Sequence, residues 1–213
     1  MDNIKKRLIP ILREQEGDKQ KVYPDSENIP TIGTGFNLKD DEVRNLMSLY
    51  GKDPNKLESG EDTLDDETHD LVLDRVVDRK LELSKNKLSP ELWDTLNDNQ
   101  KTVVGGLGYQ SLNNIGPNLT NAIMNNDIPS SVYEIVANTN KTQNPGIQYR
   151  RLKQGQDFAG DSFWDIISSF DKDTKNKILE NLNRIENENT RKEALDMYEQ
   201  YLKEQNFKKL FNK

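Results

Sequence analysis

The chain has 213 residues, no cysteine, a single histidine, and 37 acidic side chains against 30 Lys and Arg, for a net charge of -7. This length suits one good-sized domain or a domain with an appendage; the lack of thiols excludes disulfides and thiolate metal sites, and no apolar run approaches the roughly 18 to 20 residues that span a bilayer. Residues 40–100 hold 17 Asp and Glu against 8 Lys and Arg, whereas residues 101–160 hold 3 against 5, so a long basic groove for nucleic acid is not supported.

Lys5, Lys6, Arg7, Arg13 and Glu14 break up the apolar positions of the first turns, which therefore do not read as a signal peptide. Ile4, Leu8, Ile11 and Leu12 recur at helical spacing, so Glu16 is expected near the end of a helix that Gly17 can close. Pro10 either kinks that helix or marks its start. Residues 22–25 and 31–36 then read as two extended segments around the turn-forming run Asp25, Ser26, Glu27, Asn28. Gly33 and Gly35 belong to this hairpin and not to a phosphate loop, because no helix start follows them directly. A helix end and a hairpin facing each other bring Glu16, Asp25 and Thr31 to one gap. Two carboxylates and a hydroxyl so held suit glycoside hydrolysis, in which one carboxyl gives its proton to the leaving oxygen and the other, ionised, activates water or attacks.

The pattern Glu16-x8-Asp25-x5-Thr31, followed by Ile32-Gly33-Thr34-Gly35, resembles the catalytic stretch of the phage-type lysozymes, glycoside hydrolase family 24, in residue type and spacing. The resemblance implies that Glu16 is the general acid and that Asp25 and Thr31 hold the attacking water, with inversion at the anomeric carbon. It also implies substrate contacts from Asn37. Phe36 stands where many members carry a histidine of structural role, so a repacked lobe is expected. Asn28 stands where a glycine is common, and asparagine tolerates the left-handed conformation that the turn needs.

Downstream, Asp40 and Asp41 open a helix with Val43, Leu46, Met47 and Tyr50 on one face, closed by Gly51. Residues 52–62 read as a loop. Thr63 is the expected cap of a long helix whose Leu73, Val76, Val77 and Leu81 continue an apolar face, a spine between a small N-terminal lobe and a larger helical one. His69 lies in its acidic first turns and is expected on a solvated face, since one imidazole with scattered carboxylates is a poor metal set. Ser89 caps a helix with Pro90 in its first turn, and Leu92, Leu96, Val103, Val104 and Leu107 predict one central helix running into Gly105, Gly106 and Gly108, where a backbone or ligand can approach closely. Short helices are expected over 118–126 and 130–138. A polar loop over 138–144 precedes a further helix that carries Arg150 and Arg151. Asp171 and Asp173 do not make a calcium loop, for want of the central glycine and the terminal glutamate.

The resemblance extends here with less specific motifs. Tyr109 and Gln110 resemble an aromatic-Gln pair lining the sugar cleft, and Gly146-Ile147-x-x-Arg150-Arg151 resembles a signature in which an arginine pairs with the catalytic glutamate; either arginine fits. Phe163, Trp164, Ile167 and Phe170 form an apolar patch that docks on the helical lobe. Beyond it, 172–188 and 190–211 read as two charged amphipathic helices, with Ile178, Leu182 and Ile185 on one and Leu195, Tyr198, Leu202, Leu210 and Phe211 on the other. They pack on the catalytic domain or serve a virion partner or a second copy.

Together these readings imply an α+β, mostly α, lysozyme-like two-lobe fold, with a catalytic domain over 1–165 and a C-terminal helical extension over 166–213. The expected activity is that of a muramidase, cleaving the β-1,4 bond between N-acetylmuramic acid and N-acetylglucosamine without a cofactor. Its partner is the peptidoglycan glycan strand, with neither nucleic acid binding nor membrane insertion. The protein would be made in the host cytoplasm and reach the wall through a membrane hole or in a virion. The rivals are a lytic transglycosylase on the same bond and a non-catalytic wall-binding virion protein.

Overall fold

The computed structural model describes residues 2–25, 27–139 and 144–211, and the side chains of those up to 199. Ser26, the loop residues 140–143, and the side chains of Leu202, Leu210 and Phe211 lie outside what it describes. The fold is α+β and mostly α; among the described residues the β structure is one three-stranded antiparallel sheet. The chain divides into two compact units, Met1–Asn113 and Asn114–Lys213.

The first unit begins with α1 (Asp2–Glu16), which buries Ile4, Leu8 and Leu12 and carries an exposed Pro10 within its length. The helix therefore starts well before the proline. The sheet follows as β1 (Lys19–Pro24), β2 (Pro30–Gly33) and β3 (Phe36–Asn37), in that spatial order. This corrects the expectation of a single extended segment over 31–36: Gly33 (φ 60°) and Gly35 (φ 79°) turn the chain back, so that Ile32 pairs with Phe36 and Thr31 with Asn37. Asn28 adopts the left-handed conformation, at φ 62°.

Helix α2 (Asp41–Leu49) is capped by the Asp40 carboxylate, and Gly51 turns the chain at φ 83°. Residues 52–62 are not a plain loop. They contain α3 (Pro54–Ser59), opened by the Asp53 side chain with Pro54 in its first turn and closed by left-handed Gly60, the Pro-first, Gly-last asymmetry of helix ends. The long α4 (Asp66–Leu88) is capped by Asp65 and not by Thr63, whose carbonyl instead accepts a hydrogen bond from Lys52 Nζ at 2.8 Å. The predicted central helix is two helices, α5 (Pro90–Thr95) and α6 (Asp98–Gln110), because Asn97 and Gln100 form a reciprocal capping box that starts a new helix. Trp93, not Leu92, is the buried anchor of α5.

Helices α1, α4 and α6 pack on one another around Leu8, Leu12, Leu73, Val77, Leu81, Val104 and Leu107, each at most 1% exposed. Full burial of such side chains stabilises the fold by about 1.5–3 kcal/mol each. A Cβ on Gly105 would lie 2.5 Å from Leu81 Cδ2 and 3.5 Å from Leu8 Cδ2, so this glycine serves close helix approach within α6.

The second unit holds α7 (Pro117–Met124), α8 (Ile128–Tyr133) with a π-helical continuation over Glu134–Asn138, α9 (Pro145–Ala159), α10 (Phe163–Ser169), α11 (Lys172–Asn183) and α12 (Glu188–Phe211). Gly155 lets α9 meet Val136 and Phe163, whose atoms would lie 2.6 and 2.8 Å from an added Cβ. Phe163 and Ile167 are excluded from water, and the Phe170 ring packs edge-on to Tyr133 at 5.2 Å. Asp171 caps α11, and α11 packs on α9, where Asn181 Nδ2 donates to Gln148 Oε1 at 3.1 Å. On α12, Ala194 and Tyr198 are the buried positions among the described side chains.

Candidate active site

Glu16 is the last residue of α1, and the helix stops there because Gly17 takes a left-handed φ of 76° and its N–H donates to Arg13 O at 3.1 Å. This single bond satisfies one of the terminal carbonyls and turns the chain into β1. Glu16 is half-buried.

The hairpin sets Asp25 and Thr31. Asp25 O accepts Asn28 N–H at 3.0 Å, and Asp25 Oδ1 accepts the N–H groups of Glu27 and Ile29, both at 2.8 Å. The side chain thus folds over its own turn, as aspartate commonly does. Among the described residues Oδ2 has no hydrogen-bond partner, which leaves it to a ligand or water. Asp25 N–H and Thr31 Oγ1 both donate to the carbonyl of Ile29, each at 3.0 Å, so one acceptor fixes both residues. With its proton so engaged, the Thr31 oxygen presents lone pairs only.

Across the sheet, Thr31 sits opposite Tyr23 on β1 and opposite Asn37 on β3, and residues directly opposite share a face. Asn37 Oδ1 accepts Lys39 N–H at 2.7 Å, leaving the amide NH2 as its available donor. Lys19 Nζ lies 3.9 Å from the centre of the Tyr23 ring.

Two phenols register the electrostatics of this face. Burial pushes the Tyr23 hydroxyl pKa up, and the negative charges of Glu16 and then Asp25 push it further. Tyr109, near the end of α6, is raised first by burial, then by Glu16 and by Tyr23. Both carboxylates therefore act on Tyr23, and Glu16 acts on both rings. Tyr109 is 9% exposed, and its hydroxyl donates to Thr34 O at 2.7 Å, tying the end of α6 to the β2–β3 turn. Next to it, half-buried Gln110 has a buried Nε2 with no hydrogen-bond partner among the described residues. Leaving such a donor unmet costs about 1–3 kcal/mol, which an acceptor on a ligand would recover.

Six of the predicted site residues, Glu16, Asp25, Thr31, Asn37, Tyr109 and Gln110, thus belong to the first unit. Arg150 and Arg151 lie on α9 of the second. Arg151 is 2% exposed and donates from Nη1 to Gln154 Oε1 at 2.6 Å, and Arg150 is half-buried.

One expectation fails outright. His69 is not on a solvated face: it is 1% exposed, with its ring 5.3 Å from that of Phe36 and Nε2 2.8 Å from Thr34 Oγ1. The acidic neighbours Asp66, Glu67 and Asp70 are exposed, but position 69 extends the buried stripe of Val72, Leu73 and Val76 one turn upstream. That spacing could have identified it. Phe36 and His69 pack ring to ring, both buried.

No protein-family model matches the chain, and no curated protein matches it.

Proposed function

We propose that the protein is a peptidoglycan hydrolase of the muramidase type, acting through Glu16, Asp25 and Thr31. The observation that carries this reading is the convergence of the Glu16 and Asp25 charges on Tyr23, from a helix end on one side and a hairpin turn on the other. The two carboxylates have unlike surroundings. Asp25 is gripped by two backbone N–H groups inside the hairpin turn, whereas Glu16 is the half-buried last residue of a helix.

In this mechanism Glu16 gives its proton to the glycosidic oxygen as the bond to the anomeric carbon breaks. Asp25 Oδ2 and the Thr31 oxygen accept the two protons of a water, which attacks the opposite face of the sugar and loses one proton to Asp25. The resemblance to phage-type lysozymes favours inversion. Gln110 Nε2 and the Asn37 amide offer donors to the sugar's acetamido and hydroxyl oxygens.

Digesting purified peptidoglycan with the wild type and with Glu16→Gln, and identifying the released ends by mass spectrometry, tests the reading. Reducing N-acetylmuramic acid ends from the wild type alone are expected. Anhydro ends would instead make the enzyme a transglycosylase and remove the role given to Asp25. Release of nothing by either protein would move a binding or structural role to the front. The anomer of the first-formed product, followed by NMR, reports inversion or retention.

A further inference from the structure

We propose that His69 is a positioning residue for the Glu16 site, acting through Thr34 and Asp18; the inference rests on the muramidase reading. A buried imidazole that only filled space would be worse than leucine or phenylalanine, because each ring nitrogen must find a partner or lose its hydration. Here both nitrogens are used, and they reach different elements. Nε2 lies 2.8 Å from Thr34 Oγ1 in the β2–β3 turn and 3.4 Å from Asp18 Oδ1, two residues beyond Glu16. Nδ1 lies 3.2 Å from Asp70 Oδ1 on α4, and Asp70 in turn pairs with Arg13, whose carbonyl holds the N–H of Gly17.

The imidazole thus joins α4 to the chain on both sides of the site. Thr34 is the second link: its side chain is fully buried against His69, and its carbonyl accepts the Tyr109 hydroxyl at 2.7 Å. The ring of Tyr109 senses Glu16. Loosening His69 therefore loosens the turn that holds Tyr109 and the connection that leaves Glu16. Phe36 cannot replace this function, since it packs on the imidazole but carries no polar atom.

The test measures kcat and KM on solubilised peptidoglycan for His69→Gln, His69→Phe, Thr34→Val and the His69→Phe/Thr34→Val double variant. Glutamine can place its amide nitrogen near the Nε2 position, phenylalanine keeps the packing without the nitrogens, and valine keeps the shape of Thr34 without its hydroxyl. The expected result is a kcat about tenfold lower for His69→Phe and for Thr34→Val, at nearly unchanged KM, with His69→Gln within about threefold of wild type. The double variant should be no slower than the worse single one, because both cut the same link. Wild-type kcat in His69→Phe, an equal loss in His69→Gln, or multiplicative losses in the double variant would each overturn the proposal. If His69→Phe does not fold, Thr34→Val decides alone, and an unchanged kcat there is fatal. Because His69 is the only histidine, its ring signals in an NMR spectrum should also move on Thr34→Val; unmoved signals refute the contact. An inactive wild type would sink the muramidase reading and this inference with it, whereas an active wild type with unimpaired variants sinks the inference alone.

Discussion

In the α1–α4–α6 core, Leu8, Leu81 and Leu107 are shut away from water by apolar neighbours. Around the adjoining sheet the buried side chains include Thr31 of β2, Thr34 of the β2–β3 turn and His69 of α4, each with polar atoms that need partners. The core is stabilised by area and fit, which tolerate small shifts. The sheet is stabilised by particular hydrogen bonds, which do not. Glu16 sits where one regime gives way to the other: its helix is anchored by leucines, and the chain beyond it is held by turn chemistry. Activity and stability should therefore be separable by mutation.

The sharpest separation comes from a pair of variants. Glu16→Gln should lower kcat at least about a hundredfold, the usual worth of a positioned acid. Its urea midpoint should stay close to wild type, since the side chain is half-buried and keeps its shape. Leu8→Ala should do the reverse. The residue is 1% exposed, and removing its branched end leaves a cavity between α1, α4 and α6 that costs about 2–5 kcal/mol. Its kcat per folded molecule should hold under conditions where the variant remains native. Loss of folding in Glu16→Gln, or of kcat alone in Leu8→Ala, would break the comparison.

A smaller effect tests the turn. At φ 62°, Asn28→Ala should cost about 1 kcal/mol, because alanine lacks the short polar side chain that makes the left-handed region tolerable to asparagine, while Asn28→Gly should cost little. Because Asn28 N–H bonds Asp25 O, the alanine variant should also lose activity and the glycine variant keep it.

What the chain's own pattern disclosed follows the same division. Glu16 at a helix end was readable because leucine spacing and a glycine are local signals. The third strand was not, since Thr34 and Gly35 prolong an alternating run and only the positive φ at Gly33 and Gly35 reveals the reversal. Helix α3 has two buried residues, Pro54 and Leu57, too few for a periodicity, although Asp53-Pro54 and Gly60 mark its ends. The Asn97–Gln100 capping box that splits α5 from α6 was hidden in an apolar series running across it. His69 was obscured by exposed acids on either side. The bond from Tyr109 to Thr34 spans 75 residues and leaves no local trace at all.

The electrostatic face can be probed without substrate. A nearby anion favours the neutral phenol, so Glu16→Gln and Asp25→Asn should each lower the Tyr23 pKa, with burial keeping it above the ordinary value in both. Ultraviolet titration against a Tyr23→Phe control isolates that ring. Asp25→Asn leaving Tyr23 unmoved would separate Asp25 from the face and withdraw its role.

The smallest expected effect lies where α4 begins. A backbone hydrogen bond from Thr68, then Lys52 at 3.0 Å, pull the Asp65 carboxyl down to about 2. A depressed carboxyl pKa means that the unfolded chain takes up the proton first, so the stabilisation is complete above about pH 4 and fades as pH falls towards 2. The side chain is 51% exposed, so solvent screening reduces the full linkage value to below about 1 kcal/mol. Asparagine still caps a helix but cannot ionise. Wild type and Asp65→Asn should therefore differ in Tm near neutral pH by a degree or two at most and converge as pH approaches 2. A difference that persists there would mean that the cap geometry, and not the charge, carries the effect. The helix that holds His69 would then begin as independently of pH as the leucine core on which it rests.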